Sequence, residues 1–274
     1  MKRLLTILIL LSLSLALHAQ SVALSPLHFQ AGKNQVTVRG QVQKVWFYPA
    51  VGTSLHHKIL FAPGDGGHRG FAILIAEKLA ALGYDVYTLD TRHYLASFTG
   101  KTQLTPSDVM TDFHTLAQQI SGNSTEKITL AGWSTGAGLS VLAAANEDKT
   151  DYDGLLAISL GKTNILGWRC VDTLATWFGK VPHEPTFQSA EYVSRIAPLP
   201  VFVIQSSRDE FIPQEDAEYV FVQAKRPKHF RLIHANNHSF AGKREEFFAA
   251  LQHGFQWITQ FPSRTSTAAN DKLP

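Results

Sequence analysis

Cysteine is almost absent from this chain of 274 residues, in which Cys170 is the only one. A single cysteine cannot form a disulfide bond within the chain, so a fold that depends on internal disulfides is excluded. Its neighbours Trp168 and Val171 are apolar, which predicts that the thiol of Cys170 is buried. The apolar fraction of 45% is that of an ordinary globular protein, and it is sufficient for a sizeable core.

Clustered positive charge is also missing. No block of Lys or Arg residues is present that would follow a phosphate backbone, so nucleic acid is a poor candidate partner. The formal net charge is +3, and removal of an amino-terminal segment that contains Lys2 and Arg3 would lower it to +1. The basic balance of the whole chain therefore says little about its partners.

The amino terminus carries an apolar run, but residues 4–17 are fewer than the roughly 20 that a spanning helix needs. Lys2 and Arg3 precede this run, and Ala19 supplies a small residue at the −1 position of a cleavage site. These features predict a secretory signal peptide over residues 1–19, a mature chain that starts near Gln20, and a periplasmic or secreted protein with no stable membrane span. A membrane anchor is the alternative. No cysteine lies near the cleavage site, which argues against a lipoprotein anchor.

Beyond this segment, short apolar strands alternate with amphipathic helices. The pattern predicts strands at 36–48, 58–62, 84–89, 127–131, 155–160, 200–205 and 229–234, and helices at 71–82, 106–120, 137–145, 213–224 and 244–258. Such alternation predicts an α/β fold with a mostly parallel central sheet and helices on both faces. One such domain is expected over residues 20–262, followed by a frayed, flexible tail at 263–274.

Residues 161–197 interrupt this alternation, because they are too many for a simple connection between two strands. They include Trp168, Trp177 and Phe178. A helical insertion is expected here, before the strand that leads to the candidate acid. It forms either a cap over the active site or an elaboration packed at the edge of the sheet.

Residues 132–136 read Gly-Trp-Ser-Thr-Gly and match Gly-x-Ser-x-Gly, the nucleophile elbow. Ser134 would sit on a very tight turn, and Gly132 and Gly136 are small enough to avoid a collision across it. The pattern alone is weak. Its context is specific, because a predicted strand precedes it and a predicted helix follows it. Ser134 is therefore the candidate nucleophile, and the alternative is an ordinary strand-to-helix turn with an idle serine.

A serine hydroxyl needs an adjacent base that is oriented by a carboxylate, in the chain order Ser, acid, His. Asp209 follows the predicted strand at 200–205 and is the candidate acid. Glu210 is the rival, since it is ionised as well and lies one residue away. Asp209 is preferred because Asp-x-x-x-Pro, here ending at Pro213, is common before a helix in this fold.

The base is expected in the loop after the last strand, which contains His238. His234 competes with it. However, His234 belongs to the predicted strand itself, so a packed or hydrogen-bonded structural role is expected for it.

Stabilisation of an oxyanion requires backbone N–H donors. One is expected from Thr135, directly after the nucleophile. The glycine-rich residues 64–67 supply the second, from Asp65 or alternatively Gly66, because glycines let a backbone approach the substrate closely.

Two other types of site are poorly supported. The glycine-rich loop is not followed by Gly-Lys-Ser or Gly-Lys-Thr, so a phosphate-binding loop is not indicated. His234 and His238 are four residues apart, as two zinc ligands on a helix would be, but this segment is predicted as strand and loop, and His-Glu-x-x-His does not occur. No metal and no cofactor is expected.

With these residues, the chain resembles the α/β-hydrolase superfamily over nearly all of its mature length. Its middle part also resembles the bacterial virulence protein VirJ and AcvB group. The residues that carry this resemblance are 64–67 after a strand, 90–94 (Asp-Thr-Arg-His-Tyr), Thr105, Pro106, Asp112 and the elbow at Ser134. The resemblance implies an α/β-hydrolase fold and a periplasmic location. It also implies hydrolysis of aminoacylated phosphatidylglycerol, as for AcvB-type members.

The sequence therefore predicts an exported serine hydrolase that cleaves a carboxylic ester through an acyl-enzyme. The substrate would be an aminoacyl-lipid or another small or lipid-derived ester. An exopeptidase or other amide hydrolase would use the same triad and is the first alternative. A non-catalytic binding or assembly protein on the same fold is the second.

Overall fold

The computed structural model describes residues 28–122, 124, 126–169 and 183–261. The predicted signal peptide, the tail at 263–274, and the residues Cys170, Trp177 and Phe178 lie outside these ranges.

A sheet of eight strands forms the centre of the described structure. The strands of the described residues are β1 (Gly32–Val38), β2 (Gln41–Tyr48), β3 (Lys58–Ala62), β4 (Asp85–Leu89), β5 (Ile128–Trp133), β6 (Tyr152–Ile158), β7 (Thr163–Ile165), β8 (Thr186–Gln188), β9 (Val201–Ser206) and β10 (Lys228–Ile233). The large sheet has the order β1-β2-β4-β3-β5-β6-β9-β10. All neighbours from β4 to β10 pair in parallel, and β1–β2 and β2–β4 pair antiparallel. The predicted mostly parallel sheet is confirmed.

Residues 36–48, predicted as one extended segment, belong instead to two strands joined by a tight turn. Val38 pairs with Gln41, and the two residues between them, Arg39 and Gly40, have φ of 50° and 73°. Two consecutive residues with positive φ give a turn whose twist matches that of a hairpin. The alternation of apolar residues continues through the turn, so it did not reveal the break.

Helices cover both faces of the sheet. They are α1 (Phe71–Ala81), α2 (Thr91–Phe98), α3 (Pro106–Ser121), α4 (Thr135–Ala144), α5 (Ser189–Val193), α6 (Gln214–Gln223) and α7 (Arg244–Ile258). Apolar residues of α1 and α7 pack on one face, and those of α2 to α6 pack on the other. Successive side chains of a strand point to opposite faces of the sheet. Ile59 and Phe61 pack on the side of α1 and α7, whereas Leu60 packs on the side of α2 to α6.

The insertion differs in part from the expected helical segment. Its described residues form a small antiparallel sheet of β7 and β8, followed by the short helix α5. Asn164 links these parts, because its side-chain N–H₂ donates to the carbonyl of Gly161 and to the hydroxyl of Ser189.

None of the helices within the described residues combines the length and the apolar character that crossing a bilayer requires.

Candidate active site

The three residues predicted as a triad all follow strands of the parallel part of the sheet. Ser134 comes directly after β5, Asp209 lies in the loop after β9, and His238 lies in the loop after β10. The carboxyl ends of parallel strands meet at one edge of the sheet, where ligands of such folds bind.

Ser134 occupies a strained turn between β5 and α4. Its φ of 57° and ψ of −125° lie in a region that costs a residue with a side chain about 1–3 kcal/mol. A Cβ on Gly132 would overlap the backbone of Gly136 and Ala137, and a Cβ on Gly136 would overlap the carbonyl oxygen of Ala62. The fold therefore leaves room for neither side chain and keeps Ser134 in the strained conformation.

Asp209 and His238 form a buried pair. Nδ1 of His238 lies 2.7 Å from Oδ2 of Asp209 and 2.9 Å from Oδ1. Oδ1 also accepts the backbone N–H groups of Phe211 and Ile212 at 3.0 and 2.9 Å. Burial alone would raise the pKa of Asp209. The hydrogen bond and charge of His238, together with the N–H of Ile212, outweigh it and hold this pKa below its ordinary value. Asp209 is thus held as a carboxylate.

Aromatic rings contact the imidazole of His238 on two sides. Trp133, the residue before Ser134, stacks on it with ring centroids 5.0 Å apart, and Phe211 meets it edge-on at 5.3 Å. No hydrogen bond joins Ser134 to His238 in the described part of the chain. The structure therefore places the ring beside the elbow with the contact between nucleophile and base still open, as is common without a substrate.

The two rival residues take other positions. The carboxylate of Glu210 does not reach the His238 ring but accepts the backbone N–H of His238 at 2.8 Å. The sequence analysis did not predict this hydrogen bond. The only signal for it in the sequence is that Glu210 directly follows Asp209. His234 follows β10 directly and is exposed, so the packed or hydrogen-bonded role expected for it is wrong.

The glycine-rich loop lies against the elbow. A Cβ on Gly64 would be 3.2 Å from the Cβ of Ser134. The N–H of Gly67 donates to the carbonyl of Gly64 at 2.9 Å, and Gly67 has φ 72°, which closes the loop tightly. Within the described residues, the N–H groups of Asp65, Gly66 and Thr135 donate to no acceptor. None of these three N–H groups is used by another acceptor there, and their role as oxyanion donors stays a prediction.

His68 anchors the far end of this loop. Its ring stacks on Trp46 with centroids 4.0 Å apart, and its Nε2 lies 2.9 Å from the hydroxyl of Tyr48. Burial lowers the pKa of His68. A neutral His68 can then pack between β2 and the loop as an aromatic ring.

Among the described side chains, no group of three or more His, Cys, Asp or Glu residues is arranged to hold a metal ion. The ring of His238 is bonded to Asp209, and His234 is exposed.

Comparison with known proteins finds similarity to one family model and to solved structures of the same fold. Residues 53–167, less than half of the chain, match the model of the serine aminopeptidase S33 family. The α/β-hydrolase GrgF from Penicillium sp. sh18 superposes with a TM-score of 0.63 at 14% identity, covering 85% of this chain and 99% of that one. Est1E from Butyrivibrio proteoclasticus does so with 0.62 at 14% identity, covering 84% and 100%. These superpositions show that the chain has an α/β-hydrolase fold.

The chain is also similar in sequence to a curated protein. The protein YfhR of Escherichia coli O157:H7 is 24% identical over 207 residues, which are 70% of this chain and 68% of YfhR. The region of the chain that matches the S33 model contains Ser134 but neither Asp209 nor His238. The pairing of the last two therefore rests on the geometry of the chain itself.

Proposed function

We propose that this protein is an exported serine hydrolase that cleaves a carboxylic ester through an acyl-enzyme. The observation that carries the proposal is the buried Asp209–His238 pair beside the strained Ser134. A nucleophile, a base and an orienting acid on three loops at one sheet edge are the parts that serine hydrolysis requires.

In the first half of the reaction, the Oγ of Ser134 attacks the ester carbonyl carbon and His238 takes the hydroxyl proton. Asp209 keeps the proton on Nδ1, so that Nε2 faces the serine, and stabilises the imidazolium that forms. The carbonyl oxygen gains negative charge and is stabilised by the N–H of Thr135 together with that of Asp65 or Gly66. The tetrahedral centre then collapses, and His238 returns the proton to the departing alcohol.

The second half repeats these steps with water. His238 takes a proton from the water as its oxygen attacks the acyl carbon, and the same donors stabilise the oxyanion. The bond to Ser134 breaks, and the proton passes from His238 back to the Oγ. One ester and one water thus give one acid and one alcohol, and the enzyme is restored.

For the substrate we propose a small or lipid-derived ester, such as an aminoacyl-lipid. The support is the resemblance of residues 64–67 and 90–94 to the VirJ and AcvB group. Export, to the periplasm or medium, is supported by the pattern of residues 1–19.

Amide hydrolysis is the second candidate, because residues 53–167 match a family model described as serine aminopeptidase. A triad of this kind serves both reactions. A matched ester and amide with the same acyl group separate the two: a kcat/KM that is higher for the ester than expected from intrinsic reactivity supports the esterase proposal, and efficient turnover of the amide supports the peptidase.

Labelling with a fluorophosphonate probe tests the proposal directly. Such a probe reacts with a serine only when a base activates it. We expect stoichiometric labelling of the mature protein and loss of labelling in both Ser134→Ala and His238→Ala, with activity on an ester lowered by about 10³-fold or more, as for removal of a triad member elsewhere.

Circular dichroism of each variant serves as the folding control, since loss of labelling is informative only if the variant folds as the wild type does. If the folded wild type is not labelled, or if Ser134→Ala is labelled equally, the serine hydrolase proposal fails. A non-catalytic binding or assembly role on the same fold would then be favoured.

A further inference from the structure

The loop after β9 presents two neighbouring carboxylates to the loop that carries His238. Oδ1 of Asp209 accepts the backbone N–H groups of Phe211 and Ile212, which fixes the turn on which both acids stand. From this turn, Asp209 reaches the Nδ1 of His238 at 2.7 Å, and Glu210 reaches its backbone N–H at 2.8 Å. One rigid turn thus holds the same histidine at two separate points.

The His238 loop has its own internal hydrogen bonds, but they leave this N–H unused. Oδ1 of Asn237 accepts the N–H groups of Ser239 and Ala241, each at 3.0 Å, and the N–H of Asn236 donates to the carbonyl of Ala241 at 3.0 Å. These bonds shape the turn after His238. Its position relative to β9 depends on contacts from outside the loop.

Glu210 makes a contact of the strong kind, because a carboxylate that accepts an N–H forms a charge-assisted hydrogen bond. Glu210 is exposed, and it forms no ion pair with any described residue. Its side chain therefore adds little to the core, and its hydrogen bond acts on the backbone of His238.

We infer that Glu210 is a positioning residue for the base: it fixes the backbone of His238 while Asp209 fixes the ring. This inference rests on the proposed function. Because the bond from His238 to Ser134 is still open in the structure, Nε2 must approach the hydroxyl during the reaction. A displacement of about 1 Å at such a point can cost about 10²-fold in rate.

Kinetics of three variants on a p-nitrophenyl ester test this role. We expect Glu210→Ala to lower kcat by about 10-fold with KM nearly unchanged, since the base is displaced but the substrate surface is kept. Glu210→Gln retains a side-chain oxygen that accepts the N–H and should restore kcat to within about 3-fold of the wild type. Glu215→Ala, an exposed glutamate in the first turn of α6, is the matched control and should leave kcat unchanged.

The rate and the endpoint of fluorophosphonate labelling separate this inference from the proposed function. We expect Glu210→Ala to label more slowly than the wild type but to the same final stoichiometry, with an unchanged melting temperature. Equal labelling rates and equal kcat in wild type and Glu210→Ala overturn the positioning role and leave the hydrolase proposal intact. A fall in kcat that Gln does not rescue also overturns it. Absence of labelling in the wild type is instead the failure of the proposed function.

Discussion

At the scale of single residues, two glycines decide whether Ser134 can occupy its turn. Any Cβ at position 136 would overlap the carbonyl oxygens of Ala62 and Pro63, which belong to the backbone and cannot swing away. A Cβ at Gly66 would meet only the side chain of Arg69, at 3.5 Å, which is an ordinary contact. A substitution to alanine should therefore be strongly destabilising at position 136 and nearly neutral at position 66.

We expect Gly136→Ala to lower the free energy of unfolding by about 3 kcal/mol or more, because β3 and α4 must separate to admit the methyl group. Gly66→Ala should change it by less than about 0.5 kcal/mol. Urea unfolding of the two variants measures both values. Equal stabilities of the two variants would show that the elbow has more space than the structure gives it.

The predicted site residues differ in how much the sequence alone can say about them. The elbow was predictable because its constraint is local: three residues within one turn and the strand and helix beside it. The role of Glu210 was not predictable, since it depends on where the loop after β9 lies relative to the loop after β10. From the sequence alone, Glu210 could only be named as an alternative to Asp209 for the hydrogen bond with the ring of His238.

At the scale of elements, a buried polar contact joins α2 to α3. The hydroxyl of Tyr94 donates to Oδ2 of Asp112 at 2.7 Å, and Nε of Arg39 in the β1–β2 turn lies 3.9 Å from the other carboxylate oxygen. Burial raises the pKa of Asp112 to about 6, against the lowering effects of Tyr94 and Arg39. The helices are thus packed around a carboxyl group that takes up a proton at higher pH than in the unfolded chain.

The sign of the pH dependence follows from this shift. Between the ordinary value of 3.8 and about 6, the folded protein binds the proton and the unfolded chain releases it. The contribution of Asp112 to the free energy of unfolding therefore decreases as pH rises through this window, by about 3 kcal/mol in total. Asp112→Asn, which keeps an acceptor for Tyr94, should lack this decrease.

Denaturant unfolding of wild type and Asp112→Asn from pH 4 to 7 provides the measurement. Burial also raises the pKa of Asp151 and Asp153, so the difference between the two proteins is the quantity that isolates Asp112. Parallel pH curves for the two proteins would contradict the prediction.

Helix α2 itself was not predicted as an element, although residues 90–94 stood out as a motif. It spans only two turns, from Thr91 to Phe98, and its polar residues obscure the apolar spacing of its buried side. Its beginning is set by Asp90, whose Oδ1 accepts the N–H of His93 at 3.0 Å. A short helix held by packing and a cap leaves a weaker pattern than the long helices α3 and α7, which were predicted close to their observed bounds.

At the scale of the whole molecule, the sheet brings residues that are distant in sequence together at one of its edges. Ser134 and His238 are 104 positions apart in the sequence, yet the parallel order β5-β6-β9-β10 brings the loops that carry Ser134, Asp209 and His238 to the same side of the sheet. The alternation of strands and helices was enough to predict this architecture. The strand pair β7–β8 was not predictable in the same way, because strands of three residues carry no periodicity.

Export and cleavage of the amino-terminal segment concern the molecule as a whole. Expression of the full chain in a Gram-negative bacterium should yield a periplasmic or secreted protein whose amino terminus is Gln20, because a positive start, an apolar run and Ala19 direct translocation and cleavage. Leu10→Arg interrupts the apolar run and should leave the full-length chain in the cytoplasm. Intact-mass spectrometry of the cell fractions distinguishes these outcomes. Full-length wild type in the membrane fraction would support an anchor instead, and full-length wild type in the cytoplasm would contradict export.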